Sequence, residues 1–196
     1  MPDFSQSAPG LQPPTVVDHV LLPVEDLDQA ARRIHERFAL QAIPGGRHPK
    51  VGTANQIVPL GLQYLELIAV VDQHEAAGSR LGVRVAKALN QGTTFVAWAL
   101  RTRDLDAVRA TDPSPMPFVI EWRIPDSLHP GQVAASHGTG ATALRRVIVG
   151  SREPDRLREK LGLLLGPSSM YEVRKADDDG VQEIVLENAG GELIVT

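Results

Sequence analysis

Three segments of the chain repeat one arrangement of apolar and polar positions. VVDHVLLPVEDLDQAARRI, FVAWALRTRDLDAVRA and LRRVIVGSREPDRLREKL each pass from an apolar, strand-like stretch through a short acidic turn into a helix with one apolar stripe, which is a β-α unit written three times. In the first copy Leu27, Ala30, Ala31, Ile34 and Phe38 fall on one helical face, and Asp26 with Gln29 three residues later has the form of a capping box, so a helix is predicted to begin at or near Asp26. In the third copy Pro154 suits a first helical turn, Leu157, Leu161 and Leu164 form the stripe, and Gly162 is the expected C-terminal stop.

The stretches after the first and third copies are also alike. GTANQIVPL and YLELIAV, separated by a turn at Gly61, come after the first; MYEVRK, QEIVLEN and GELIVT, separated by turns at Asp179-Gly180 and Gly190-Gly191, come after the third. Both units read β-α-β-β-β. The second copy is degenerate: Pro113, Pro115 and Pro117 cut its helix short, and one strand, PFVIEWRIP, stands before a Gly-rich stretch. The expected organisation is a tail over residues 1–14, a first module over 15–72, an insert with a half-module over 73–140, and a second module over 141–196. The insert opens with a helix carrying Leu81, Val85, Ala88 and Leu89 and ending at Gly92. The fold class is α+β.

Period-two alternation picks out the polar residues that stand on apolar faces. His19 is placed with Val17 and Leu21, and Glu66 with Tyr64, Ile68 and Val70; in the last strand Glu192 stands beside Ile194. A carboxylate on such a face must be paired, protonated or bound to a metal. Each residue alone reads first as a satisfied structural group. Together, a first-strand His with fourth-strand Glu residues from two units makes an oxygen-rich set suited to a divalent metal with open positions.

This arrangement resembles the vicinal-oxygen-chelate superfamily, which contains glyoxalases, extradiol dioxygenases and bleomycin-resistance proteins. DHVLLPVEDLDQA, FVAWALRT, PFVIEWRIPDSLHPG and above all GGRHPKVGTAN followed by YLELI are similar to its glyoxalase-like domain group, over residues 15–196. The resemblance implies paired βαβββ modules forming a curved mixed sheet around a divalent metal (Fe, Mn, Ni or Zn). His19, Glu66 and Glu192 take the ligand positions, and Glu66 and Glu192 are the candidate catalytic carboxylates.

The fourth ligand position departs from that pattern. Aligning LRRVIV on VDHVLL puts Arg146 where His19 stands, and a guanidinium has no lone pair to give a metal. Either His48 or His129 replaces the ligand, or Arg146 grips a carboxylate or phosphate of a substrate, or it forms a salt bridge with Glu66 or Glu192. Arg146 and His48 are therefore candidate substrate-binding residues, with Trp98 and Trp122, which stand in two neighbouring strand candidates as core or pocket wall. The implied function is a small-molecule enzyme of the lyase, isomerase or dioxygenase type, with or without metal assistance, on a small substrate that is anionic if Arg146 grips it. The alternative is a non-catalytic binder that sequesters its ligand, in the manner of bleomycin-resistance proteins.

Composition narrows the remaining chemistry. There is no cysteine among the 196 residues, which removes disulfides and thiolate nucleophiles or ligands. A formal charge of −4 without a run of one sign gives no electrostatic footprint for nucleic acid. No stretch has the length and apolarity of a membrane span or a secretory leader, so the expected compartment is the cytoplasm and the expected partner a small molecule. An exposed sheet edge beside the shortened insert suggests a homodimer. Gly138–Ala143 matches a dinucleotide fingerprint but leads into a strand instead of a helix, so no nucleotide cofactor is expected.

Overall fold

The computed structural model describes residues 15–111 and 117–196; the proposed tail, Pro113 and Pro115 lie outside the described residues. The first unit comprises β1 (Val16–Pro23), α1 (Leu27–Phe38), β2 (Ile43–His48), β3 (Thr53–Pro59) and β4 (Tyr64–Val70). Then come α2 (Gln73–Ala77), α3 (Arg80–Gln91), β5 (Ala97–Thr102), α4 (Leu105–Thr111) and β6 (Phe118–Glu121). Two short 3-10 turns, Asp126–Leu128 and Pro130–Gln132, precede β7 (Ala143–Ser151), α5 (Pro154–Leu165), β8 (Tyr171–Lys175), β9 (Gly180–Asn188) and β10 (Gly191–Val195). The β-α-β-β-β order expected at both ends of the chain is the order observed, and the class is α+β.

The strands form two open mixed sheets, β2-β3-β4-β1-β5-β6 and β10-β9-β7-β8. In the first unit the chain leaves α1 for the far edge of its sheet, so the fourth strand returns beside the first: β4 runs parallel to β1. In the other unit α5 delivers β8 directly alongside β7, the shortest parallel crossover. There β10 touches only β9. The degenerate copy extends the first sheet, with β5 antiparallel to β1 and β6 parallel to β5.

Local chemistry explains the helix ends. Asp26 caps α1 by accepting from the Gln29 amide at 2.7 Å, and Gly92 closes α3 in the left-handed conformation with φ 65°. Gly162 does not end α5. The helix runs on to bury Leu164 and Leu165, and the stop is Gly166 at φ 64°. Pairing in the first sheet leaves one face of β1 and β4 (Val20, Leu65, Leu67) in a single core with Ile34 of α1, Leu161 and Leu164 of α5, and Val147, Ile184 and Leu186 of the second sheet. The opposite face of the first sheet meets α3 through a smaller cluster of Leu21, Ile68, Val85 and Ala88. Among the described residues no helix is long and apolar enough to cross a membrane.

Candidate functional site

The polar residues of β1 and β4 gather on that second face of the six-stranded sheet, next to the α3 cluster. Strand alternation sets Glu66 opposite Leu65 and Leu67. On β1 the register against β5 shifts between Val17 and His19, a β-bulge at Asp18. The extra residue breaks the alternation. Val17 goes to the main core with Val20, while Asp18 lies alongside the ring of His19, its Oδ2 at 3.4 Å from Nδ1. His19 therefore shares its face with Leu21 and not with Val17, contrary to the simple period-two expectation.

Parallel pairing puts His19 level with Tyr64, whose ring stacks on the imidazole at 4.4 Å. From there His19 Nε2 reaches Glu66 Oε2 at 3.5 Å, and both residues are 5% exposed. The second carboxylate oxygen of Glu66 accepts from Asn55 Nδ2 at 2.7 Å. Asn55 is held in turn: its Oδ1 accepts from the Gly46 amide at 2.8 Å, and a Cβ on Gly45 would fall 2.0 Å from that oxygen. The paired glycines of GGRHPKVGTAN thus seat the asparagine that orients Glu66.

On the far side of His19 lies a carboxylate out of contact with solvent. Asp18 is 0% exposed, and besides His19 it accepts from His129 Nε2 at 2.8 Å and from Trp122 Nε1 at 3.0 Å. Burial pushes its pKa up, but hydrogen bonds and charge from His19, then the bonds from Trp122 and His129, outweigh that and hold it below the usual carboxylate value. Burial, followed by the charges of Glu66 and Asp18, pushes the Tyr64 hydroxyl far above its ordinary range. His129 stands just before the 3-10 turn Pro130–Gln132, and its Nδ1 accepts from the Gly131 amide at 3.1 Å. A side chain on Gly131 would strike the Gln63 and Gly61 carbonyls at 2.2 and 2.5 Å. Glycine is what lets this turn lie flat on the β3–β4 connection and push His129 inward.

The other sequence candidates go elsewhere. Arg146 and Glu192 meet each other at 3.6 Å, but on the second sheet, on the side turned away from the shared core. Arg146 also contacts Glu172 at 3.4 Å, and Glu192 accepts from Arg145 Nε at 2.9 Å. They belong to a ladder of alternating charges on a half-exposed sheet face. Because β10 is separated from β7 by β9, Glu192 does not stand beside a first strand as Glu66 does. His48 bonds the buried Thr53 hydroxyl at 2.9 Å at the β2–β3 end. Trp98 is buried in the main core, on the face opposite His19. Trp122 contributes its indole N–H to Asp18. Sequence reading passed over Asp18 and Asn55; the signal for Asp18 was a second ionisable residue adjacent to His19 in a strand otherwise apolar.

His19 Nε2 and Glu66 Oε2 are spaced as two ligands of one tetrahedral ion at about 2.0–2.2 Å would be. Metal centres of this kind take three or more protein ligands. Among the described residues no three His, Asp or Glu side chains come together in a metal-holding group. The adjoining strands bring Ala99, level with His19, and Phe118, level with Ala99. Asn55 Oδ1 is already engaged. The donor set does not fit a resident divalent metal.

Comparison with known proteins agrees with this architecture. Residues 17–114, which run from within β1 through α4 and include His19, Asn55 and Glu66, match a family described as a glyoxalase-like domain. A crystal structure of a hypothetical protein from Staphylococcus aureus shares the fold, with TM-score 0.68 at 16% identity over 88% of this chain and 90% of that one. Methylmalonyl-CoA epimerase from Mycobacterium tuberculosis overlaps in part, with TM-score 0.39 at 24% identity over 52% of this chain and 64% of that one. No curated protein matches the sequence.

Proposed function

We propose, for a chain that belongs to the glyoxalase-like domain family, that it is a small-molecule enzyme of the isomerase or lyase type in which His19 and Glu66 move a proton at a carbon next to a carbonyl. The observation that carries this reading is the convergence of His19 Nε2 and Glu66 Oε2 on one spot, 3.5 Å apart in a buried setting, with the remaining polar atom of each side chain already engaged by Asp18 and Asn55.

Two acceptor positions facing one another place two bases within reach of a single C–H. A substrate entering past the half-buried Asn55 and Phe118 would point its acidic C–H at both from one side. The proton goes to Glu66 or His19, and the C–H electron pair passes onto the substrate carbonyl oxygen as an enolate. Returning the proton to the carbon gives an isomer; expelling a group from the adjacent carbon gives a lyase product. Asn55 keeps the Glu66 carboxylate in plane with the target. Among the described residues two side chains stand in ligand positions where a resident ion of this kind takes three, so the proton transfer rests on His19 and Glu66 themselves.

Hydrogen–deuterium exchange tests this directly. The protein is incubated in D2O with a panel of carbonyl compounds that carry an α C–H, such as 2-oxo acids, hydroxyketones and acyl thioesters, and α-deuteration is followed by proton NMR. The wild type should catalyse exchange in at least one member, and Glu66→Gln should lower that rate by about 10²–10⁴-fold, the usual worth of a positioned general base. Exchange that Glu66→Gln and His19→Gln leave untouched refutes the assignment. Retention of a compound in equilibrium dialysis without any exchange favours the sequestering alternative.

A further inference from the structure

We propose that Asp18 is a positioning residue: anchored by His129 and Trp122, it fixes His19 in the tautomer that carries its proton on Nδ1 and leaves Nε2 bare towards Glu66. The inference rests on the catalytic reading of His19 and Glu66 for its purpose, but its geometry stands apart from any substrate.

The hydrogen-bond donors can be assigned in order from the outside inward. The Gly131 amide donates to His129 Nδ1 at 3.1 Å, so that nitrogen presents a lone pair and the other, Nε2, carries the hydrogen. His129 Nε2 then donates to Asp18 Oδ1 at 2.8 Å. Trp122 Nε1 is a donor only and gives to Oδ2 at 3.0 Å. A carboxylate offers no hydrogen, so the Oδ2 that faces His19 Nδ1 at 3.4 Å can only accept. Glu66 Oε2 also faces the ring, 3.5 Å from Nε2, but as a charge contact and not in hydrogen-bond geometry, so in the neutral ring the single hydrogen lies on Nδ1 and Nε2 is free to receive one.

Asp18→Asn separates this role from simple packing, since it keeps shape and volume. His129 cannot yield its Nε2 hydrogen while Gly131 holds Nδ1, so the NH2 group of the introduced amide is barred from the Oδ1 position, where two donors would collide. It must take the Oδ2 position, with the Trp122 N–H turning to the remaining oxygen, which it already approaches at 3.3 Å, and point its hydrogens at His19 Nδ1. That nitrogen then has to accept, and the proton moves to Nε2, into the space in front of Glu66.

Long-range ¹H–¹⁵N spectra of the full chain with ¹⁵N-labelled histidine, at pH 8 and without ligand, read the tautomer of each ring. The His19 signals are identified by their loss in His19→Gln. In the wild type His19 is expected to show a protonated Nδ1 and a bare Nε2; in Asp18→Asn the two should exchange character. A wild-type His19 protonated on Nε2 overturns the proposal, and so does an Asp18→Asn spectrum that keeps the wild-type order. If Asp18→Asn fails to fold, the wild-type spectrum still decides. Tautomers as expected with no α-exchange would sink the catalytic reading and leave the positioning role standing; the reverse result would do the opposite.

Discussion

Replacing Asp18 with alanine should be among the most damaging single changes outside the apolar core. Asp18 is 0% exposed and serves three donors, two of them at 2.8 and 3.0 Å and the third at 3.4 Å. Its removal strands the His129 and Trp122 N–H groups without an acceptor, at roughly 1–3 kcal/mol each, while the long contact to His19 adds little. The expected loss is about 4 kcal/mol, in line with the roughly 3–5 kcal/mol lost when one partner of a buried charged pair is deleted. For a chain of this length that lowers Tm by about 8–16 °C. Thermal and urea unfolding at pH 7, with the m-value checked for two-state behaviour, measure it. Asp126→Ala is the control, since the Arg103–Asp126 pair spans 3.5 Å with side chains 94% and 62% exposed; it should shift stability by no more than about 0.5 kcal/mol. The sign with pH is also fixed. The folded-state pKa of Asp18 lies below its unfolded value, so its contribution is complete above about pH 4 and is lost as pH falls through the folded pKa. The gap between wild type and variant should narrow in acid. A deficit under about 1 kcal/mol at pH 7 would refute the account of Asp18 as the hub of the cluster.

Other substitutions report on neighbouring parts of the same picture. Gly131→Ala sets a methyl group against two backbone carbonyls that cannot turn aside, and should cost about 1–3 kcal/mol in urea unfolding; Gly46→Ala, where nothing lies within 4 Å of the new methyl, should cost well under half as much. Gly162→Ala fills an open position inside α5 and should stabilise by about 0.5–1 kcal/mol, visible as a raised Tm. Arg146→Ala and Glu192→Gln, on the charge ladder of the second sheet, should each change stability by about 1 kcal/mol or less and leave α-exchange at the wild-type rate; a collapse of exchange in either would bring the second sheet back into the site.

The parts of this molecule that the sequence made legible are those set by local chemistry. The cap at Asp26, the stripe of α1, the closure of α3 at Gly92 and the β-α-β-β-β order of both end units all arise from contacts within a few residues. Gly162 misled because intrinsic preference is weak: the burial of Leu164 and Leu165 carries α5 past it to Gly166. Strand order was less accessible. Two units with the same order of elements pair differently, since nothing local tells the chain after α1 to cross to the far edge and the chain after α5 to return beside β7. Glu66 and Glu192 look equivalent along the chain, yet one neighbours His19 and the other meets arginines.

The same distinction governs the site. A period-two reading places every second residue of β1 on one face, and it put His19 and Glu66 on the apolar faces where they meet. It could not find their supporting carboxylate, because one bulge at Asp18 inverts the alternation upstream and delivers two consecutive polar residues to the same cluster. Nor could it supply Asp18's partners, which arrive from 104 and 111 positions away in sequence. The cost of an unpaired buried charge is nevertheless a constraint that sequence imposes before any fold is known. An aspartate within VVDHVLL requires donors from somewhere, and DSLHPGQ, with a histidine held by a glycine two residues on, is the distant segment that brings one.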